Sequence, residues 1–155
     1  MRAYFQRTTI GRIGIVEEGG CITNLYFETD IVPSDLELCE TGTIREAFRQ
    51  LQAYLSGGLT VFSVPLAPRG TEFFRRVWQE LCSVPYGTTA SYKQIAVAAG
   101  NPKAVRAVGM ANNRNPVPLF IPCHRIIGSD GRLVGYRGGL DVKRSLLELE
   151  KQHVR

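Results

Sequence analysis

Where the structural signals fall along this chain restricts its fold more than any other feature. Three short runs rich in β-branched and aromatic residues open it: Ala3 to Arg7, Arg12 to Glu17 and Cys21 to Glu28. Gly11 and the pair Gly19-Gly20 separate them, which predicts a small antiparallel meander with tight turns. From Thr43 to Ser56 the signal changes to helical spacing. Ile44, Phe48, Leu51 and Leu55 recur on one face, and Gly57-Gly58 ends the segment. A helix on a three-stranded sheet makes a plausible first lobe. Leu59 to Arg69 reads as an extended linker, because Pro65 and Pro68 oppose helix. The expected division is residues 1–69 for this lobe and linker, and 70–155 for a mainly helical second lobe. A chain of 155 residues, 44% hydrophobic, can fill one domain or two such lobes. The fold class expected is α+β.

In the second part, Thr71 to Cys82 reads as a helix whose stripe Phe74, Val77, Trp78 and Leu81 is accounted for by core packing. The turn Val84-Pro85-Tyr86-Gly87 stops it. Ser91-Tyr92-Lys93-Gln94 has the form of a capping box, with Ile95, Ala98 and Ala99 expected to face inward and Gly100 ending the helix. Asn101-Pro102 then reads as an N-cap followed by proline at the first helical position. The outline is helix-turn-helix, which serves DNA binding or plain helical packing. On the second of these helices Val105, Val108 and Gly109 share one side; Lys103, Arg106, Ala107 and Met110 share the other. Cations there suit phosphates, and the small or unbranched residues between them suit close approach to a groove. A solvated basic face is the alternative. The net charge of +5 is compatible with DNA but does not demonstrate it. Asn112-Asn113-Arg114-Asn115 reads as a polar turn. The last helix is expected from Asp141 to about Gln152, with Val142, Leu146 and Leu149 inward, Glu150 at the stripe's edge and Glu148 outward.

The chemistry points to Pro122-Cys123-His124-Arg125, which lies between the apolar run from Pro116 and a glycine-rich loop, Gly128 to Gly139. Thiolate is the reactive form of cysteine and neighbouring positive charge favours it. The competing reading is a buried cysteine acting as a small hydrophobe. Glu150, at the edge of a core, needs a donor; an arginine or His124 can supply it, and His124 would complete a Cys-His-Glu relay. Cysteines 21, 39, 82 and 123 form no C-x-x-C pair and no zinc spacing with His124 and His153, so neither metal nor cofactor is expected. Met1-Arg2-Ala3-Tyr4 leads into no long apolar region, so reduced thiols in a cytoplasmic (or nuclear) protein are expected. No run reaches membrane-spanning length.

From about Phe73 to Glu150 these pieces resemble the methylated-DNA–protein-cysteine methyltransferases, the O6-alkylguanine DNA repair proteins. The residues that carry the resemblance are Val84-Pro85-Tyr86-Gly87, Ser91-Tyr92, Ala99-Gly100-Asn101-Pro102, Arg106-Ala107-Val108-Gly109, Asn115-Pro116-Val117-Pro118, Ile121-Pro122-Cys123-His124-Arg125 and Gly135-Tyr136. The resemblance implies a ribonuclease-H-like sheet and helix in the first lobe and a helix-turn-helix in the second. It implies that Cys123 accepts the alkyl group, that His124 takes the thiol proton through a water, that Glu150 orients His124 and that Asn115 supports the turn. Arg106 would fill the gap left by a flipped guanine, with Lys103, Ala107 and Met110 on the DNA side. Tyr92 would contact the flipped nucleotide, the Cys123 and Ile126 carbonyls would read its amine, and Tyr136 and the Arg137 backbone would line the alkyl side. The implied partner is double-stranded DNA carrying alkylated guanine, held through the minor groove by a monomer. Methylated thymine is a second implied substrate. Arginine at 137, where some relatives have a small residue, is expected to narrow or recharge the pocket mouth.

Other functions fit parts of this pattern. A non-catalytic binder of alkylated bases would keep the DNA-binding parts but lack Cys123. A transcription regulator would use the helix-turn-helix, and a cysteine hydrolase would use Cys123, His124 and Glu150 over many turnovers.

Overall fold

A computed structural model describes residues 1–154. The chain forms two compact units, Met1–Pro68 and a second beginning at Arg69.

In the first unit, β1 (Arg2–Thr8), β2 (Gly11–Glu18) and β3 (Cys21–Tyr26) form the expected antiparallel meander. Gly19 and Gly20 both have positive φ, 60° and 83°, the backbone that a two-residue hairpin matched to strand twist requires. The expectation of three strands is corrected: β4 (Glu37–Leu38) pairs parallel with β1, giving the order β3-β2-β1-β4. Two residues are too short a run to announce a strand by pattern. The helix α1 (Gly42–Leu55) starts at Thr41, whose hydroxyl accepts the Ile44 N–H. Its Ile44, Ala47, Phe48, Leu51 and Tyr54 are buried, as are Ile13, Ile15, Ile22 and Leu25 of the sheet. The linker reading also needs correction. The Ile22 N–H donates to the Pro65 carbonyl at 2.8 Å and the Ala67 N–H to the Ile22 carbonyl at 2.9 Å. This stretch covers the β3 edge, using N–H and C=O groups that its prolines leave intact.

The second unit contains α2 (Glu72–Cys82), β5 (Ala90–Ser91), α3 (Tyr92–Ala98), α4 (Val105–Asn113), a 3-10 turn (Cys123–Arg125), β6 (Ile126–Ile127) and α5 (Leu140–His153). Both halves of the Ser91–Gln94 capping box are formed. Val77, Trp78 and Leu81 of α2 are buried along with Ile95, Ala96 and Ala99, and with Val108 and Ala111 of α4. Burial of each large side chain is worth about 1.5–3 kcal/mol. The Trp78 indole donates to the Ala111 carbonyl at 2.8 Å, so its polar atom is satisfied inside the core.

Five local expectations change. The helix α4 begins at Val105 rather than Pro102, because the Asn101 side chain accepts the Lys103 N–H at 3.2 Å and its carbonyl accepts the Ala104 N–H. Asparagine thus makes a turn where a cap was expected, and Lys103 lies before the helix. Val105 is exposed rather than inward. In α3 the buried alanine is Ala96, and Ala98 is exposed. Asn112 and Asn113 belong to α4 rather than to a turn, and the buried line of α5 is Lys143, Leu146 and Glu150.

Candidate active site

The 3-10 turn places three consecutive side chains of Cys123, His124 and Arg125 in the interior; they are 3%, 0% and 7% exposed. The run before it, Val117 to Ile121, is buried and includes Leu119 at φ 75°. A leucine in this region costs about 1–3 kcal/mol and persists only where the surroundings impose it. Asn115 is part of that imposition. Its Nδ2 donates to the Ile121 carbonyl at 2.9 Å and its Oδ1 accepts the Val117 N–H at 3.0 Å. The loop entering the nucleophile turn is therefore folded around one asparagine.

Glu150, on α5, is 1% exposed and is shared by both competing donors. Its Oε2 lies 2.7 Å from His124 Nε2. Arg125 donates through Nε to Oε1 at 2.8 Å and through Nη2 to Oε2 at 3.0 Å. The Gly87 N–H adds a further bond to Oε1 at 3.1 Å. The turn Val84-Pro85-Tyr86-Gly87 supplies the rest of this shell. The Val84 carbonyl accepts Arg125 Nη1 at 2.7 Å, and the Arg125 guanidinium lies 5.6 Å from the Tyr86 ring centre. Gly87 has φ 78°, and a Cβ there would come within 2.6 Å of Val154. Glycine is needed so that this N–H can reach the carboxylate.

Burial drives the His124 pKa below its ordinary value, against the pull of the Glu150 carboxylate. A neutral imidazole with Nε2–H donating to Glu150 has its lone pair on Nδ1, the tautomer this hydrogen bond selects. Burial also raises the Cys123 thiol. Asn115, Arg137 and Lys143 act in the opposite direction. The resting pair is thus thiol and neutral imidazole. A cavity of about 10 Å³ beside Cys123 is lined by Asn112, Asn115, Pro118, Tyr136 and Arg137 among others. That is room for about one water.

A comparison with known proteins decides what this centre belongs to. Residues 72–152 match the family model of the 6-O-methylguanine DNA methyltransferase DNA binding domain. The chain belongs to the methylated-DNA–protein-cysteine methyltransferase family. It is 49% identical to the Mycobacterium leprae methylated-DNA–protein-cysteine methyltransferase over 94% of this chain and 89% of that one. It is 45% identical to the constitutive enzyme of Bacillus subtilis over 93% and 92%. Among solved structures, the Mycobacterium tuberculosis OGT in complex with DNA superposes with a TM-score of 0.94 at 42% identity, covering 99% of this chain and 94% of that one. The α+β class and the order of sheet lobe then helical lobe match that structure.

Against this methyltransferase fold the expected site residues separate into two groups. Cys123, His124, Glu150, Asn115 and Ile126 gather in the buried centre, with Tyr136 half-buried and Arg137 at the cavity wall. Arg137 Nη1 donates to the Asn115 carbonyl at 3.0 Å, so its guanidinium is held back along the wall. The Tyr92 hydroxyl lies 3.3 Å from the Val134 carbonyl. Arg106 and Met110 are exposed on α4, Ala107 is half-buried beside them, and Lys103 is exposed in the preceding turn. Sequence reasoning missed Lys143. It is fully buried, its Nζ donates to the Val134 carbonyl at 2.9 Å, and burial lowers its pKa while the Cys123 charge raises it. Helical spacing from Glu150 would have placed it on the buried face, but lysine is normally assigned to the surface. Arg125 was read only as a charge near the thiol, not as a partner of Glu150. No group of His, Cys, Asp or Glu able to hold a metal occurs among the described residues, and no helix there is long and apolar enough to cross a membrane.

Proposed function

We propose that this chain repairs double-stranded DNA by moving the methyl group of O6-methylguanine, and of O4-methylthymine, onto Cys123. The observation that carries the reading is the buried His124–Glu150 contact of 2.7 Å in the turn that holds Cys123. The methylated oxygen lies inside the duplex stack, so the nucleotide must be swung out, at a cost of a few kcal/mol. Arg106 fills the gap from the minor groove, and Ala107, Met110 and Lys103 lie against the groove and its phosphates. The exposure of Arg106, Met110 and Lys103 supports that role, as does the start of α4, which has no side-chain cap. The DNA-bound structure of the Mycobacterium tuberculosis relative supports DNA as the partner.

The extruded base meets Tyr92 and the wall formed by Ile126, Tyr136 and Arg137. A cavity that holds about one water is far smaller than a purine, so its lining must open as the base enters. His124 takes the Cys123 proton through one water, and Glu150 stabilises the imidazolium. The sulfur attacks the methyl carbon in line. The carbon–oxygen bond breaks, its electron pair stays with the guanine oxygen, and the restored base takes one proton to become ordinary guanine. The thioether has no hydrolytic exit, so each molecule acts once. The steps use this chain's own side chains and one water, and the expected setting is a monomer in the cytoplasm.

The test is to mix the protein with a duplex bearing one O6-methylguanine, digest both, and weigh the Cys123 peptide. One methyl in place of one hydrogen, with an equal amount of restored guanine, is the expected result. Turnover beyond one equivalent would identify a hydrolase, and binding with no mass change would identify a lesion-binding protein.

A further inference from the structure

The last turn of α4 brings Asn112 to the cavity beside Cys123. Its side chain is 4% exposed, and its Oδ1 accepts no hydrogen bond among the described residues. Neighbouring asparagines differ. Asn113 is exposed, and Asn115 has both ends of its amide engaged. Nor is Asn112 free to withdraw. The Trp78 indole holds the Ala111 carbonyl at 2.8 Å, and the Arg114 N–H bonds to the Met110 carbonyl at 3.0 Å. Burial raises the Tyr92 pKa, and the Asn112 amide beside that phenol pulls in the other direction, as an N–H donor does. Asn112 lines the cavity, and its oxygen is the end of the amide left without a donor. A buried acceptor with no donor costs about 1–3 kcal/mol, and a role in the reaction is one accepted reason for it to persist.

The chemistry of the substrate leaves few candidates for that donor. Methylation at O6 removes the hydrogen from ring nitrogen 1, and ring nitrogen 9 carries the sugar. The 2-amino group is then the only N–H donor left on the base. O4-methylthymine has no N–H donor at all. The resemblance assigns this amine to the Cys123 and Ile126 carbonyls; the Cys123 carbonyl already accepts the Ile126 N–H, and Asn112 adds an uncommitted acceptor on the wall of the same cavity.

We propose that Asn112 is a specificity-determining residue: its side-chain carbonyl accepts a hydrogen bond from the 2-amino group of the flipped O6-methylguanine. This rests on the reading that the base enters the Cys123 cavity. It gives methylguanine an advantage over methylthymine, because a site built to bond an N–H group rejects the analogue lacking it.

The experiment compares two duplexes, one with O6-methylguanine and one with O6-methylhypoxanthine, which differs only in lacking the 2-amino group. Methyl transfer to Cys123 is timed by quenched single-turnover assay. The intact protein is expected to favour methylguanine by about tenfold or more. Asn112→Ala and Asn112→Leu are expected to bring the two substrates to equal rates, and Asn112→Asp, which keeps an acceptor of similar size, to preserve the preference. Equal rates in the intact protein, or a preference that survives in Ala and Leu variants, would overturn the assignment. So would a drop of the same factor on both substrates, which marks a purely structural side chain. If no substrate ever methylates Cys123, the fault lies with the proposed reaction and not with Asn112.

Discussion

The two units treat charge in opposite ways. In the unit Met1–Pro68 the buried polar side chains are the neutral Thr23 and Gln50. Gln50 is satisfied at both ends by Ser63, at 2.9 Å each. Ion pairs such as Arg2–Glu37, Arg7–Glu28 and Arg45–Glu40 lie at the surface. Pairs of that kind contribute about 0–1 kcal/mol. The second unit buries His124, Arg125, Lys143 and Glu150, each at 7% exposure or less. Removing the charges of Arg125, Lys143 and Glu150 from water costs several kcal/mol apiece, and apolar packing of equal volume is often the more stable choice. Folding alone does not explain why this unit keeps them. Their positions around Cys123 do: a site that must hold a thiol, a proton acceptor and a leaving base in fixed relation needs charges that water cannot displace.

The largest expected break in this contrast is Glu150→Ala. It leaves the Arg125 guanidinium buried without its carboxylate, a change of about 3–5 kcal/mol. Urea unfolding should show that loss, and transfer to Cys123 should fall with it. The matched change at the surface, Glu37→Ala, removes an ion pair of 3.8 Å and should stay within about 0.5 kcal/mol. A Glu150 variant as stable as the Glu37 variant would mean that the buried network holds nothing together.

A second effect should appear only in the unit that buries charge, because both histidines belong to it. Burial depresses the folded pKa of His124. Below the unfolded pKa of about 6.5 the unfolded chain takes up a proton that the folded chain refuses. Stability from this group is therefore complete above that pH and is lost as pH falls towards the depressed folded value. Unfolding followed by the fluorescence of Trp78, the single tryptophan, should show the decline. His124→Gln should flatten the slope. An unchanged slope in His124→Gln would place the titrating group elsewhere.

The same contrast sets what the sequence could reveal. The meander, α1 and α2 were legible because exposed and buried positions alternate with the period of each element, and glycines mark their ends. Cys123, Asn115 and Glu150 were recognisable from their motifs. Lys143 and Asn112 were not, because a polar residue at a helix position is assigned to solvent unless its surroundings are known. For Lys143 the surroundings include the Val134 carbonyl from a loop nine residues earlier. For Asn112 they include Tyr92, twenty positions back. The boundary of α4 failed for a local reason: the Asn101 side chain makes a turn bond that a cap would also have used. β4 and the pairing of Pro65 and Ala67 with Ile22 are long-range backbone contacts with no side-chain pattern to announce them.

The smallest expected effect sharpens the comparison most, because it holds the energetics constant. Thr41 caps α1 and Ser91 caps α3, each by accepting an N–H through its hydroxyl at 3.1 Å. Replacing either by alanine should cost about 1 kcal/mol. The consequences for chemistry should differ. Ser91 is followed by Tyr92, whose hydroxyl contacts the Val134 carbonyl, so fraying that first turn should slow transfer to Cys123 several-fold. Thr41 caps a helix whose buried face consists of Ile44, Ala47, Phe48, Leu51 and Tyr54, with Gln50 satisfied beside it, and Thr41→Ala should leave the rate of a fully folded sample unchanged. Stopped-time methylation of Cys123, corrected for the folded fraction, reads both. If the two variants slow the reaction alike, stability and not the placement of Tyr92 governs the rate, and the division of labour between the two units fails.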